Sequence, residues 1–484
     1  VVEGLRRRVE GGLWALLILL LPLTSLPLLS RLAGGTMVAP AAIIPLVLLI
    51  LIFLIPRLLG GMGLPRQVLP LLALTLAAAV SCGLSLFLDI PLFRDIDRLS
   101  NTLTALATSL VGVGFYLLAI SWPDSTDKLS RLYFWLNISG FVIILWSGLQ
   151  AIVWYAGGLY PEWMWKLQNM ISSSGNLYNQ RVTGLAFEPS WLGHQLVLLY
   201  LPYWLAATIR RSSAFRFRLW KWTAENVLLG LGVGVLFLAF SRSAILSFLL
   251  ASSWLLVRLA GKLVHRIQGK LLADTPSRLQ AVLIRAAIWA GMVILAAAAI
   301  AGLIFAATRL DSRMADLFSL LQRRLSFTEL AYQLVFGERV VFWNAGLEVF
   351  GDHPVFGVGL GNAGFFFPEK LTAFGWTVAE PFKMVYSTAL PNTLSLWVRL
   401  LAETGLLGFS LFLSWLVILW KSARYIQSHT NSILGTAGLA GQLAMIALLM
   451  EGMSVDTLAL PYFWLSFGWL TAAAAIARRS EPSG

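Results

Sequence analysis

A single cysteine among 484 residues excludes a disulfide framework and a thiolate metal site, and that residue, Cys82, lies inside an apolar run. Four histidines, His194, His265, His353 and His429, are too scattered to form a zinc motif, so no metal is expected. Charge is scarce as well: Asp, Glu, Lys and Arg make up 12% of the chain, against 58% hydrophobic residues. With a mean hydropathy of +0.78, this composition excludes an ordinary soluble domain. The alternating ten-residue segments of a membrane β-barrel are missing. Heptads, solenoid repeats and a Walker-type phosphate loop are missing too, and no inverted repeat stands out, which speaks against a secondary transporter.

What is present is a series of apolar stretches, each long enough for a helix to cross a hydrocarbon core roughly 30 Å thick. They are expected at about 12–30, 37–56, 68–88, 102–121, 132–156, 189–208, 225–240, 243–260, 284–306, 393–420, 433–451 and 457–476. The fold class is therefore an all-α polytopic membrane protein of about twelve transmembrane helices. The first stretch shows no small-residue cleavage site and reads as a retained span.

The formal net charge of +13 does not point to nucleic acid, because its distribution follows the spans. Arg6-Arg7-Arg8, Arg57 with Arg66, Arg210 to Lys221, Arg258 to Arg285 and Arg478-Arg479 fall on one side if spans alternate. That is the positive-inside pattern, and it places both termini in the cytoplasm. Anionic membrane lipid at that leaflet accounts for most of these charges.

Two segments interrupt the pattern on the opposite side of the membrane. Residues 157–188 include YPEWMWKLQNMISSSGNLYNQ, whose aromatics suit an interfacial element. Residues 309–392 form a large loop with the composition of a small folded unit, and LFSLLQRRLSFTELAYQLVF and ERVVFWNAGLEVF are each expected to be helical. The expected organisation is 1–308 with nine spans, 309–392 as the loop and 393–484 with three spans.

The polar groups on that side are few. Arg181, Glu188 and His194 precede and enter the sixth span, Arg242 interrupts AFSRSAIL, and Arg339, His353 and Asn392 lie in or border the long loop. An intramembrane arginine is a functional hypothesis by default, and five fixed donors at permanent charge suit a diphosphate. Glu188 stands before Pro189-Ser190-Trp191 and has two readings: a helix cap, or a carboxylate that accepts a proton from a sugar hydroxyl. The sequence leaves both open. His194 falls six residues later, off the face of Glu188, and reads as a hydrogen-bonded membrane histidine. His353 lies in HPVFGVGLGNAGF, whose glycines are expected to make tight turns rather than a dinucleotide site, since no strand precedes them.

With these elements in order, the chain resembles the O-antigen ligase and polymerase superfamily. The resemblance rests on SRSA opening a span, Arg339 and Trp343 in ERVVFWNAGLEVF, the HPVFGVGLGNAGF turn and LLAETGLLG on the next span, over roughly residues 180 to 420. It implies a GT-C-like fold, an inverting membrane glycosyltransferase without cofactor or metal, and undecaprenyl-diphosphate-linked glycan as donor and acceptor at the periplasmic face of the bacterial inner membrane. It also implies that Arg242 and Arg339 hold the diphosphate. Ligases of the family carry a histidine just before the span after the loop; here that place reads TALPNTLSLWVRLLAETG, with Pro391 before Asn392. RVTGLAFEPSWLG resembles instead the Arg-x-x-Gly and Glu-Pro-Ser element of many polymerases for O-antigen and exopolysaccharide. Glu188 is then the candidate general base, with Arg181 as a further diphosphate ligand and His353, His194 and Asn392 as secondary candidates. The alternatives are a ligase acting on lipid A core with His353 as base, and a flippase or exporter of lipid-linked glycan. A polymerase leaves room for a chain-length regulator as partner.

Overall fold

The computed structural model describes residues 2–32, 34, 37–215, 222–271, 280, 282–283, 286–287, 290–291, 337–372, 375–377, 379–384, 386, 388–428 and 432–480. They fall into two compact units, Val1–Ser247 with Glu338–Gly484, and Phe248–Gly337. Of the second, the described part is helical, within Arg242–Leu271 and at short stretches between 280 and 291. The span expected at 284–306 lies largely outside the described residues, and the helix expected over LFSLLQRRLSFTELAYQLVF lies wholly outside them. The helix expected from ERVVFWNAGLEVF is present as Gly337–Asp352.

Seven helices among the described residues are long and apolar enough to cross a membrane: Arg66–Ser85, Arg98–Ser121, Thr126–Gly157, Pro189–Arg210, Arg242–Lys262, Leu396–Gln427 and Ser432–Glu451. Two shorter apolar helices, Ile43–Leu59 and Ala224–Leu238, run with them. The chain is an all-α polytopic membrane protein, and its described residues form no strand. Helices meet through small residues that let backbones approach, as bundles in lipid require. A Cβ on Gly468 would come within 2.4 Å of Ala119 Cβ, and one on Gly112 within 2.4 Å of the Leu458 carbonyl oxygen.

Two helices widen to a π turn, at Ile50–Leu54 and Leu196–Tyr200. Each ends two residues before a proline, Pro56 or Pro202, which brings no N–H to the helical ladder and leaves a carbonyl one turn back without its partner.

The first apolar stretch differs from its sequence reading. Helix begins at Val2 and stops at Leu20, before Pro22 and Pro27, so 12–30 is not one span. The unwound residues are held by polar contacts: Thr24 Oγ1 accepts from the Phe187 amide at 2.8 Å, and the Ser25 and Ser173 hydroxyls lie 2.6 Å apart. Irregular backbone at this depth is tolerated because it is buried in protein; both Thr24 and Ser25 are fully buried.

Helix Leu396–Gln427 is broken at Gly405, with φ 64° and ψ −169°, a conformation open to glycine alone. A neighbouring segment satisfies the break. The Val358 and Gly359 amides donate to the Ala402 and Glu403 carbonyls, both at 3.0 Å, while the Leu406 and Leu407 amides donate to the Pro354 and Val355 carbonyls at 2.8 and 3.2 Å. The glycines of HPVFGVGLGNAGF make this approach possible: Gly357, Gly359 and Gly361 all have positive φ. A Cβ on Gly357 would lie 2.5 Å from the Glu403 carbonyl carbon. Around this junction an apolar core joins helix Gly337–Asp352, the segment after it and Ile90 and Phe93.

Candidate functional site

Helix direction fixes which residues share an end of the first unit. Helix Pro189–Arg210 has 22 residues and spans about 33 Å, so Glu188 and Arg210 stand at opposite ends. By the same reasoning Arg57, Arg66, Arg210 and Arg478 share one end, where Arg57 pairs with Glu10 at 2.6 Å. Glu188, Arg242, Leu396, Glu451 and Tyr462 share the other.

Glu188 is the half-buried residue before helix Pro189–Gln195, with extended backbone and no side-chain bond to the helix amides. Its backbone carbonyl accepts from the Trp191 and Leu192 amides, and its carboxylate accepts a hydrogen bond from the Ser190 hydroxyl. The Glu188 side chain therefore does not cap the helix, and its carbonyl makes only the first bonds of the helical ladder.

The segment leading to Glu188 is fixed almost peptide by peptide. Gln150 Oε1, from within helix Thr126–Gly157, accepts the Thr183 and Gly184 amides at 3.1 and 2.9 Å, and its Nε2 donates to the Gly184 carbonyl at 3.2 Å. Gly184 has φ +57°, and a Cβ there would meet Ser147 Oγ at 2.8 Å, which explains the glycine of Arg-x-x-Gly. Ser174 donates to the Phe187 carbonyl at 2.6 Å. The segment that carries the acid is thus tied to Gln150 at one end and to Ser174 at the other.

Arg181 and Arg242 lie on adjoining pieces of chain. Arg181 Nε donates to the Ala239 carbonyl at 3.3 Å, and the Val182 amide to the Leu238 carbonyl at 3.0 Å. Helix Pro189–Gln195 rests on the same stretch: a Cβ on Gly193 would lie 2.6 Å from Ala244 Cβ and 2.9 Å from Ser241 Cβ. Arg242 opens its helix, half-buried, directly after Ser241. A helix N-terminus favours an anion rather than a cation, and this one opens with a guanidinium. Tyr178 sits within the field of both charges: burial raises its phenol above the ordinary value, Glu188 raises it further and Arg181 lowers it.

Arg339 is joined to the turn after helix Ser432–Glu451, its Nη1 donating to the Ser454 carbonyl at 2.7 Å. The same turn carries residues that the sequence reading did not single out. Arg399 Nη1 donates to the Asp456 carbonyl at 2.9 Å and its Nε to Glu403 Oε2 at 2.8 Å. Burial pushes the Asp456 carboxyl above its usual range, while Arg399 and Arg339 act in the other direction. Glu451, fully buried, accepts from Ser247 at 3.3 Å and lies 3.4 Å from His194 Nδ1. Their shared signal is an acid or arginine at the edge of an apolar run, the criterion that had selected Arg242 and Glu188.

His194 packs edge-on to Tyr462, with ring centroids 5.8 Å apart, and neither imidazole nitrogen finds an aligned hydrogen bond among the described residues. It is therefore a buried partner of Glu451, and its expected hydrogen bond is not formed by protein groups described. His353 is half-buried, 5.8 Å from the Phe366 ring and next to the Asp352–Lys370 ion pair. Asn392 is exposed, and its Oδ1 accepts the Leu394 amide at 3.1 Å in a turn. The structure thus brings Arg181, Glu188 and the start of the Arg242 helix into one assembly. It links His194 and Arg339 through the 451–456 turn, and gives His353 and Asn392 local partners of their own. No group of three His, Cys, Asp or Glu side chains among the described residues is placed to hold a metal ion.

No curated protein matches the chain. Residues 226–413 match the family model described as O-antigen ligase. That match runs from helix Ala224–Leu238 through Arg242 and Arg339 to the Gly405 break, and it supports placing the chain in the O-antigen ligase and polymerase superfamily.

Proposed function

We propose that the chain is a polymerase of that superfamily, joining undecaprenyl-diphosphate-linked oligosaccharide repeats into O-antigen or exopolysaccharide. The observation that carries this reading is the seating of the Glu188 helix on Ser241 and Ala244, with Arg181 tied to Ala239. It puts a candidate base and two arginines on touching segments at one end of the unit. In this reading that end faces the periplasm, the arginine-rich end and both termini face the cytoplasm, and the membrane is the bacterial inner membrane.

The chemistry follows from these groups. The acceptor hydroxyl gives its proton to Glu188 as its oxygen attacks the anomeric carbon from the face opposite the diphosphate. The bond from that carbon to the diphosphate oxygen breaks, its electron pair leaves with undecaprenyl diphosphate, and the anomeric configuration inverts. Arg242, Arg339 and Arg181 stabilise the charge that grows on the leaving group. A Ser190 hydroxyl bonded to Glu188 holds the carboxylate in one rotamer ahead of substrate.

The test is to incubate purified protein with lipid-linked repeats, with and without lipid A core. A ladder of lipid-linked products without core supports polymerisation. Transfer seen only when core is present makes the protein a ligase. Movement of intact donor across a vesicle, with no new glycosidic bond, makes it an exporter.

A further inference from the structure

At the end of the first unit away from Glu188, three helix ends enclose a cavity of about 650 Å³, within the ~300–1,000 Å³ range of small-molecule sites. Arg66, Lys421 and Arg478 stand at its rim, all exposed, while Gln67 and Ser422 are buried at its base. No carboxylate among the described residues pairs with any of the three cations. Arg478 is held over the Tyr425 ring at 5.8 Å, which fixes its guanidinium. Arg57, at the same end of the unit, is neutralised by Glu10. Three cations around one concavity, without a carboxylate partner among the described residues, make a built site for an anion.

Two further features select the anion. Gln67 Nε2 donates to Ser422 Oγ at 3.4 Å, but Gln67 Oε1 is buried with no donor among the described residues. A ligand that carries a hydroxyl beside its phosphate supplies one. The cavity also runs into an exposed apolar face: Ile418 lines it, and Val417 and Leu413, 52% and 38% exposed, stand one and two turns along the helix from Lys421. An acyl chain beside that face leaves its headgroup level with the cations.

We infer that this cavity is a specific site for an anionic glycerophospholipid, its phosphodiester held by Arg66, Lys421 and Arg478 and a headgroup hydroxyl donating to Gln67.

The inference is independent of the proposed polymerase reaction. Full-length protein, freed of endogenous lipid in detergent, is titrated with phosphatidylglycerol and read by native mass spectrometry. The expected result is one retained lipid whose apparent Kd rises at least tenfold in the triple variant Arg66→Gln, Lys421→Gln, Arg478→Gln. Phosphatidylcholine shows no retained adduct, and Arg424→Gln, an exposed cation at the same end but outside the cavity, binds as wild type. Inorganic phosphate and glycerol phosphate at millimolar concentration leave the lipid in place. Lys421→Gln alone, weakened several-fold, decides the matter if the triple variant fails to fold by circular dichroism. Unchanged binding by the folded variants overturns the site. Equal loss in Arg424→Gln overturns its specificity, and displacement by free phosphate shows that a soluble phosphate, not a lipid, is the ligand.

Discussion

Gly193 lies so close to Ser241 and Ala244 that a single added methyl group would stand 2.6 Å from Ala244 Cβ. This contact seats the helix that begins after Glu188 on the one that begins at Arg242. Gly193→Ala should force the two starts apart at a packing cost of about 1–3 kcal/mol. The expected outcome is near-normal expression with chain extension reduced at least tenfold, since small misplacements of a catalytic group are costly. Adding Ala244→Gly removes the closer overlap but leaves Ser241 Cβ at 2.9 Å, so it should recover part of the activity; a double variant no better than the single would place the defect at Ser241 or elsewhere.

Glu188→Gln leaves the start of the helix intact, because the carbonyl and not the side chain receives the Trp191 and Leu192 amides. The variant should fold and bind lipid-linked donor with wild-type affinity but form no ladder. Full-length polymer from this variant, at native expression, would show that the acid serves only in the turn.

Arg242→Lys retains the charge at the helix start and loses the planar fork. Activity is expected to fall by about 10²-fold, on the scale of losing one transition-state donor. Measured donor affinity should change less than turnover, because the charge is retained while the two-point contact is lost. Unchanged turnover sinks the diphosphate assignment.

The break at Gly405 gives a prediction about folding rather than chemistry. Gly405→Ala demands a φ of +64° from an alanine and sets its Cβ 2.2 Å from the Val355 carbonyl oxygen. Backbone strain alone costs about 1–3 kcal/mol, and the overlap adds to it. Thermal melting in detergent should show a clear loss, and limited proteolysis should open first within 353–362, whose bonds to the break are lost together.

Much of the helical layout was legible in the sequence, because a run of about 20 apolar residues has few other fates. The start of a helix at Arg242 and the tight turns of Gly357, Gly359 and Gly361 were legible for local reasons, polarity and glycine spacing. The end of the first helix at Leu20 was missed although Pro22 and Pro27 follow it; how the unwound residues are held, through Thr24 and Ser25 to Phe187 and Ser173, shows only in the structure. Arg399, Glu403, Glu451 and Asp456 escaped notice for a related reason. Each is a charge within or at the rim of an apolar segment, and its meaning depends on partners 4 to more than 200 positions away. HPVFGVGLGNAGF and LLAETGLLG read as separate motifs in sequence and are one structural unit in space.

That unit bears on how the chain is made. Residues 354–359 leave the ribosome before Gly405 does, so the groups that satisfy the break are already synthesised when its helix is delivered to the bilayer. Ser81, whose one hydroxyl proton is shared between the Phe356 and Glu403 carbonyls, comes earlier still. The interrupted helix is therefore the last arrival at a waiting socket, and it need not remain in lipid with open backbone groups. A circular permutation that delivers Leu396–Gln427 first would reverse that order and leave the bare break to the lipid.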